Sequence, residues 1–326
     1  MKAVRLLFGA ALAFLIASAA AAPTSTSRAE PIELTAAPIL LHPDQPEVQR
    51  MGKLVWLGGL HIASPDRRFG GYSGLETIPG GRLVAVSDTG HWLVFRPRLD
   101  AEGRLAGVGE GEIEPLKDER AHPLSGKSNS DAESLRRDPV QGGFLVAFER
   151  HHRVLRYRTV GGPGLAIAAP EGIRSQPDNG GIEAMAAWPD GRILLISEQA
   201  RNGDGDHKAW LFAGNTWHDA NYAVGGEYLP TDAAALPGGD LLVLERRFGL
   251  ITPLGARLVR IPGDRMKPLG RLYGAVVAEW GAPFSIDNME GLAVARGPDD
   301  AVLLWLMSDD NKSPAQRTLL MLFKLE

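Results

Sequence analysis

Residues 183–198 read EAMAAWPDGRILLISE and contain the unit that decides the fold. An acidic residue and a short apolar segment lead into a Pro-Asp-Gly turn, and an almost wholly apolar strand then ends on Glu198. Pro, Asp and Gly in this order are typical of a tight turn between paired strands. The stretch therefore predicts a β-hairpin whose second strand is packed on both faces.

This unit occurs five times along the chain. The copies open at Ser73, Glu133, Glu183, Asp232 and Glu290. Their second strands end at Asp88, Glu149, Glu198, Glu245 and Asp309. A third β-prone segment follows each copy and a weaker fourth follows several, with successive copies about 50 to 60 residues apart. The pattern predicts an all-β protein, a β-propeller of five or six four-stranded blades, because a β-sandwich does not explain the recurrence.

The last copy ends after three strands, at Glu326. The apolar segment Leu54–Leu57 lies before the first copy and has strand character. We predict that it supplies the missing outer strand and closes the ring, because closure removes an exposed sheet edge.

The N-terminus has the features of a secretory signal. Lys2 and Arg5 precede the apolar run Leu6–Ile16, and small residues follow around Ala19. We assign residues 1–22 to a cleaved signal peptide, 23–50 to an extended lead-in and 51–326 to the propeller. The alternative, an N-terminal anchor, is disfavoured because the run is about half the length that spans a bilayer. We expect a periplasmic or secreted protein that does not associate with the membrane after cleavage.

Composition restricts the partners. The sequence has 35 Lys and Arg against 39 Asp and Glu, so it lacks the basic excess of nucleic-acid-binding proteins. It has no cysteine, which excludes disulfides. We expect a monomer that binds a small anionic or ester substrate.

The repeated acids are the first candidates for a functional site. Channel-lining strands and the loops at one end of a propeller bring such positions together. Carboxylate oxygens suit Ca²⁺ or Mg²⁺, whereas no Cys or His cluster indicates zinc. The predicted metal ligands are Asp88, Glu133, Glu183, Glu290 and Asp309. The alternative is that these acids cap loops or pair with arginines.

Further candidates follow the second strands. His91 comes just after Asp88 and is a candidate general acid or base, although a surface histidine without a role is the alternative. Arg150 and Arg246 are candidate substrate-binding residues, because guanidinium groups bind phosphate or carboxylate in a bidentate manner. Neutralisation of neighbouring acids is the alternative for both.

Two familiar motifs are not completed. No G-x-S-x-G nucleophile motif occurs, so a serine hydrolase mechanism of the α/β-hydrolase type is unsupported. Gly126-Lys127-Ser128 matches the end of a phosphate-binding loop, but Ala121 stands where its first glycine is required.

Several motifs together resemble the phytase-like family, described as having the esterase-like activity of phytase. They are Ser73-Gly74-Leu75, Ser87-Asp88, Asp131-Ala132-Glu133-Ser134, Gly181–Met185, Asp287–Leu292 and Ser308–Asn311. The resemblance implies a propeller with a calcium-dependent or similar metal site that hydrolyses a phosphate ester or related ester. With the repeated acids, it predicts Glu290 and Glu183 as catalytic carboxylates. A calcium-dependent lactonase-type propeller and a non-catalytic propeller that binds a ligand or protein are the alternatives.

Overall fold

The computed structural model describes residues 29–249 and 252–326. The predicted signal peptide lies outside these residues. Within them the chain is almost entirely β-structure. The strands of the first half are β1 (Glu30–Ile32), β2 (Thr35–Ile39), β3 (Arg50–Met51), β4 (Leu54–Ala63), β5 (Tyr72–Ile78), β6 (Arg82–Ser87), β7 (His91–Leu99), β8 (Leu105–Pro115), β9 (Ala132–Arg137), β10 (Phe144–Phe148), β11 (Arg153–Tyr157) and β12 (Gly164–Ala166).

The second half continues in the same way. Its strands are β13 (Ile182–Ala187), β14 (Ile193–Arg201), β15 (His207–Ala213), β16 (Thr216–Tyr222), β17 (Leu229–Ala235), β18 (Leu241–Arg247), β19 (Gly255–Ile261), β20 (Arg271–Leu272), β21 (Ala275–Gly281), β22 (Asn288–Arg296), β23 (Val302–Asp309) and β24 (Thr318–Leu325). Helix in the described residues is limited to α1 (Lys127–Ser130) and 3-10 turns at Ile173–Ser175, Gly263–Arg265 and Pro298–Asp300.

The strands form five sheets, which are the blades of a propeller. From the innermost strand outward, blade 1 is β5-β6-β7-β8 and blade 2 is β9-β10-β11-β12. Blade 3 is β13-β14-β15-β16, blade 4 is β17-β18-β19-β21, and blade 5 is β22-β23-β24-β4. The innermost strands contact one another in a closed cycle around a central channel. The predicted propeller is confirmed, with five blades.

The N-terminal part of the chain closes the ring. Strand β4 pairs antiparallel with β24, with Leu60 opposite Leu320 and Leu54 opposite Leu325, so the predicted closing strand is correct. The lead-in adds two edge strands, since β1 pairs with β8 of blade 1 and β2 pairs with β4 of blade 5. The lead-in therefore pairs with both the first and the last blade of the ring.

The hydrophobic core is divided among the blade interfaces. Five clusters of buried residues lie one at each interface. The second strands are apolar along almost their whole length because neighbouring blades cover both of their faces, and Leu194, Leu195 and Ile196 are fully buried. The hairpin between the first and second strands of blade 3 turns at Gly191, whose φ of +90° favours glycine.

Arg136 lies in the centre of the ring of innermost strands. Its guanidinium donates hydrogen bonds to the carbonyls of Leu75, Met185 and Ala233, in blades 1, 3 and 4, as well as to Leu135 in its own blade. It also lines a cavity of about 760 Å³ at the end of the channel where the innermost strands finish. This side chain therefore connects four blades.

Candidate functional site

Every innermost strand has a β-bulge at the same position. In each blade one residue is skipped in the pairing with the second strand, which leaves it opposite no partner. The skipped residues are Ser73, Glu133, Glu183, Thr231 and Glu290. Bulges re-aim side chains, and here all of these residues except Thr231 line one cavity in the channel.

The residues that follow the second strands form a second ring at the same end. The register places Asp88, Glu149, Glu198, Arg246 and Asp309 at equivalent positions in the five blades. All five line the same cavity, whose volume is about 360 Å³. The two rings together bring seven carboxylates into the cavity, with Lys127 and Arg246 as the cations among the described residues that line it.

The five predicted metal ligands are all in this cavity, so residues up to 221 positions apart in the sequence meet at one site. Two other acids of the predicted repeat, Asp232 and Glu245, do not line this cavity. The prediction that Asp232 is equivalent to Glu133 is wrong, because Thr231 is the skipped residue of blade 4. The prediction that Glu245 ends its strand at the ring position is also wrong, since Arg246 stands there. The side chain of Glu245 instead pairs with Arg257, away from the cavity.

Both errors have the same cause. The acidic residues of blade 4, Asp232 and Glu245, each lie one position away from the residue that occupies the ring, Thr231 or Arg246. Counting from the hairpin turn gives the correct position, because β18 begins at Leu241 and the sixth residue is Arg246, as the sixth residue from Phe144 is Glu149. The same count gives Glu198 in blade 3, whereas Asp88 is the seventh residue from Arg82 and Asp309 is the eighth from Val302, so strand length identifies the ring position in three of the five blades.

The tightest group of carboxylates lies on blade 2. One oxygen from each of Asp131, Glu133 and Glu149 falls within 4.8 Å of the others. Asp131 is 1% exposed, and its Oδ2 accepts a hydrogen bond of 2.8 Å from Arg150 Nε. Glu149 Oε1 accepts hydrogen bonds from the backbone N–H groups of Gly180 and Gly181, the latter at 2.6 Å. Of this group only Glu133 was among the predicted ligands.

Burial raises the pKa of most carboxyls in the cavity, and repulsion between them adds to the effect. The pKa of Glu133 is raised well above its usual value, first by burial and next by the charge of Glu183. The pKa of Glu183 is also raised well above its usual value, first by burial and next by the charge of Glu198. Burial raises the pKa of Glu149 to about 7 and that of Asp309 to about 9. Without a counter-ion, part of the cluster is therefore protonated at neutral pH.

Arg246 offsets the charge on the other side of the cavity. Its Nη2 donates to Glu198 Oε1 at 3.3 Å, and its Nη1 donates to Asn288 Oδ1 at 2.6 Å. Glu290 Oε1 lies 3.3 Å from the same Nη1 and also accepts a hydrogen bond from Asn288 Nδ2 at 2.8 Å. The guanidinium therefore partly neutralises the carboxylates of Glu198 and Glu290. In blade 2 the residue of the second ring is Glu149 rather than an arginine.

The donor set fits a hard divalent cation. Carboxylate oxygens from Asp131, Glu133 and Glu149 lie close enough to share one ion, and a bound cation would offset the burial and repulsion that raise the pKa values of Glu133 and Glu149. Within the described residues, no group donates a hydrogen bond to the carboxylate of Glu183, which leaves its oxygens available to a ligand. Ca²⁺ or Mg²⁺ is the class of ion that these residues suit.

The remaining predicted site residues lie at different distances from the cavity. Arg150 is at the mouth, where Nη2 donates to Asn179 Oδ1 at 2.8 Å and Asn179 itself lines the cavity. His91 begins β7 and is not among the residues that line the cavity. Its pKa is lowered by burial and then by Lys312 and Arg68. The catalytic role of His91 stays a prediction.

The fold and the site define the class of protein as a five-bladed β-propeller with an acidic channel. The chain belongs to the phytase-like family, described as having esterase-like activity of phytase, whose pattern matches residues 67–312. The matched region includes both rings of the cavity. No curated protein matches the chain. No helix within residues 29–249 and 252–326 is long and apolar enough to cross a membrane.

Several solved structures are similar at low identity. An α-L-arabinanase from Cellvibrio cellulosa, complexed with arabinohexaose, is 11% identical, with a TM-score of 0.43 and coverage of 77% of this chain and 90% of that chain. A protein of unknown function from Dyadobacter fermentans is 14% identical, with a TM-score of 0.43 and coverage of 85% and 99%. The WD40 β-propeller domain of Doa1 is 10% identical, with a TM-score of 0.39 and coverage of 79% and 93%.

Proposed function

We propose that this protein is a hydrolase that uses a divalent cation, with Ca²⁺ as the first candidate, to cleave a phosphate ester or related ester in the acidic cavity. One observation carries the proposal: seven carboxylates from four blades meet in a cavity of about 360 Å³ with only two cations among its described lining residues. Such a cluster repels an anionic substrate unless a cation offsets its charge. Membership in the phytase-like family supports an ester as the substrate class.

Asp131, Glu133 and Glu149 would hold the cation. When bound, a divalent cation supplies positive charge for the phosphoryl or carbonyl oxygen and lowers the pKa of a water. Glu149 is oriented for this role by the two backbone N–H groups that it accepts from, and Asp131 by Arg150. Both carboxylates are therefore positioned before a ligand arrives.

Other residues at the cavity are assigned to proton transfer and to binding of the substrate. Glu183 lies between blade 2 and Arg246 and receives no hydrogen bond from the described residues. A cation bound in the cavity would lower its raised pKa, and the ionised carboxylate is then the proposed acceptor of a proton from the attacking water. Glu290 is held by Arg246 and Asn288, and we assign it a positioning role towards Arg246. Arg246 and Arg150 are the proposed contacts for the anionic group of the substrate.

The test is a substrate screen with the purified protein. Aryl phosphates, carboxyl esters and lactones are assayed side by side with Ca²⁺ and with EDTA. We expect turnover of a phosphate or carboxyl ester that EDTA abolishes and that Glu183→Gln lowers at least a hundredfold. Glu76→Gln, at the other end of the channel, is the matched control and leaves turnover unchanged.

Each other outcome of the screen has a clear meaning. Turnover of lactones alone supports the lactonase alternative, and turnover that EDTA does not affect rejects the role of the cation. No turnover of any substrate class, with cation binding intact, supports a non-catalytic binding propeller and overturns the proposal.

Export to the periplasm or out of the cell is part of the same proposal. The supporting observation is the basic, apolar and small-residue order of residues 1–22. Cell fractionation and N-terminal sequencing of the mature protein test it, and an intact Met1 on cytoplasmic protein rejects it.

A further inference from the structure

The segment that joins blades 1 and 2 lies over the mouth of the cavity and carries a lysine into it. Lys127 Nζ lies 2.8 Å from Asp88 Oδ2, in blade 1, and 2.6 Å from Asp131 Oδ1, before blade 2. Asp131 belongs to the tight carboxylate group described above. One ammonium group therefore bridges two blades and contacts an oxygen of a residue that would hold the divalent cation.

The position of Lys127 is determined by packing. The backbone N–H of Ser130 donates to the carbonyl of Gly126 at 3.1 Å, which closes the α1 turn. Ser130 packs against Gly90, where an added β-carbon would lie 2.6 Å from Ser130 Cβ and where φ is +80°. Arg153 Nη2 donates to the carbonyl of Asn129 at 2.5 Å. These contacts hold the segment against blades 1 and 2 and fix the backbone of Lys127 beside the cavity.

The lysine side chain itself is not part of the core. It is 49% exposed, whereas Asp131 is 1% exposed. The ammonium lies at ion-pair distance from Asp131 Oδ1 without a hydrogen bond to it, so movement of the exposed lysine side chain alone is enough to free this oxygen for another cation.

We propose that Lys127 is an internal counter-ion of the cavity, which competes with the divalent cation for Asp131 and thereby limits the affinity of the site. The inference rests on the proposed function, because it assigns a means of regulating that same site. A divalent ion that binds beside Glu133 and Glu149 must share Asp131 with the ammonium or displace it. Repulsion between the ion and an ammonium only a few ångströms away weakens binding in either case.

The experiment measures Ca²⁺ binding by calorimetry for the wild-type protein, Lys127→Met, Lys127→Arg and Lys208→Met. Met keeps the apolar stem of lysine without its charge, Arg keeps the charge, and Lys208 is an exposed residue outside the cavity. We expect Lys127→Met to bind Ca²⁺ roughly tenfold more tightly than the wild-type protein, because the competing charge is removed. Lys127→Arg and Lys208→Met keep the wild-type affinity within about twofold.

The outcomes separate this inference from the proposed function. Equal or weaker Ca²⁺ binding by Lys127→Met overturns the inference whether or not the wild-type protein binds the ion. Binding by Lys127→Met alone supports the inference, and the absence of binding by the wild-type protein then counts against the proposed function. Thermal denaturation with and without Ca²⁺ verifies that each variant is folded, and Lys127→Gln replaces Lys127→Met if that variant does not fold.

Discussion

Arg136 and Asp232 form a buried ion pair that joins the innermost strands of all five blades. Arg136 Nη2 donates to Asp232 Oδ1, and both side chains are at most 4% exposed. The other guanidinium nitrogens reach carbonyls in blades 1 to 4, and Asp232 Oδ2 accepts a hydrogen bond of 2.7 Å from the backbone N–H of Leu292 in blade 5. The pair thus satisfies backbone groups of the innermost strands, each of which is an edge strand of its sheet and has no sheet partner on one side.

We predict that Arg136→Met lowers the free energy of unfolding by about 3–5 kcal/mol, because it breaks a buried pair and leaves the carboxyl of Asp232, whose pKa burial raises to about 7 even beside Arg136, either to bind a proton or to stay unpaired. Urea denaturation followed by tryptophan fluorescence measures the change. Arg137→Met is the matched control, since the neighbouring Arg137 is exposed, and it costs less than about 1 kcal/mol. Equal effects of the two substitutions would contradict the role assigned to Arg136.

A second prediction distinguishes the carboxylates of the cavity from one another. Glu133→Gln weakens Ca²⁺ binding at least about tenfold, because Glu133 belongs to the group whose oxygens lie within 4.8 Å. Glu290→Gln weakens it less, because Glu290 already contacts Arg246 and Asn288. Calorimetric titration measures both affinities, with Glu110→Gln, on an exposed part of blade 1, as the control. A larger loss of affinity for Glu290→Gln than for Glu133→Gln would indicate that the ion binds beside Glu290 rather than beside Glu133.

The third prediction concerns pH. The pKa of Asp309 is raised to about 9 in the folded protein, whereas an unfolded chain loses this proton near pH 4. Between pH 7 and pH 9 the folded state therefore binds more protons than the unfolded state, and the free energy of unfolding falls as the pH rises. For Asp309 alone the fall is about 2 kcal/mol. The window begins at pH 7 because burial lowers the pKa of His207 to about 4, which has the opposite effect below about pH 6.5.

Urea denaturation in EDTA at pH 7, 8 and 9 measures this dependence. Asp309→Asn makes it shallower, and Ca²⁺ restores stability at pH 9, because the cation replaces the protons that the carboxyls have lost. A stability that stays constant or rises from pH 7 to pH 9 in EDTA would show that the carboxyls are ionised in the folded protein without help.

The fourth prediction concerns ring closure. Deletion through residue 40 removes only the edge strands β1 and β2, and we expect a folded protein with a moderately lower melting temperature. Deletion through Leu60 removes most of β4 and leaves the edge of β24 exposed, so we expect aggregation or loss of cooperative unfolding. Differential scanning calorimetry and gel filtration compare the two proteins. A cooperative transition after the longer deletion would show that four strands are not required in blade 5.

The degree to which sequence predicted this site differs between blades. Glu133, Glu183 and Glu290 were placed correctly because in these three blades the acidic residue of the repeat is also the residue skipped at the bulge. In blade 4 the acids Asp232 and Glu245 were misplaced by one residue. A shift of one residue reverses the direction of a side chain in a strand, and only the bulge position decides which residue faces the channel.

Lys127 and Asp131 show a different limit. Lys127 lies in an incomplete phosphate-loop motif, and Asp131 was noted only as part of a family motif. Neither occupies a repeated position, so the internal comparison of blades contained no information about them. The contact of Lys127 with Asp131 is a local i,i+4 pair at the α1 turn, whereas its contact with Asp88 arises because the connection between blades 1 and 2 packs against blade 1.

The sequence by itself determined the propeller, the hairpin of each blade and the closing strand, because these follow from local alternation, turn residues and the repeat. Only the tertiary structure decided which carboxylates share a cation site, that Arg246 replaces an acid in the ring, and that Arg136 and Asp232 connect the blades. The physical reason is that the contacts of Arg246 and Arg136 join residues 44 to 97 positions apart, and that the group Asp131, Glu133 and Glu149, although it spans only 18 positions, combines a bulge residue with residues outside the paired register. Their geometry depends on bulge register and ring closure, which no local pattern encodes.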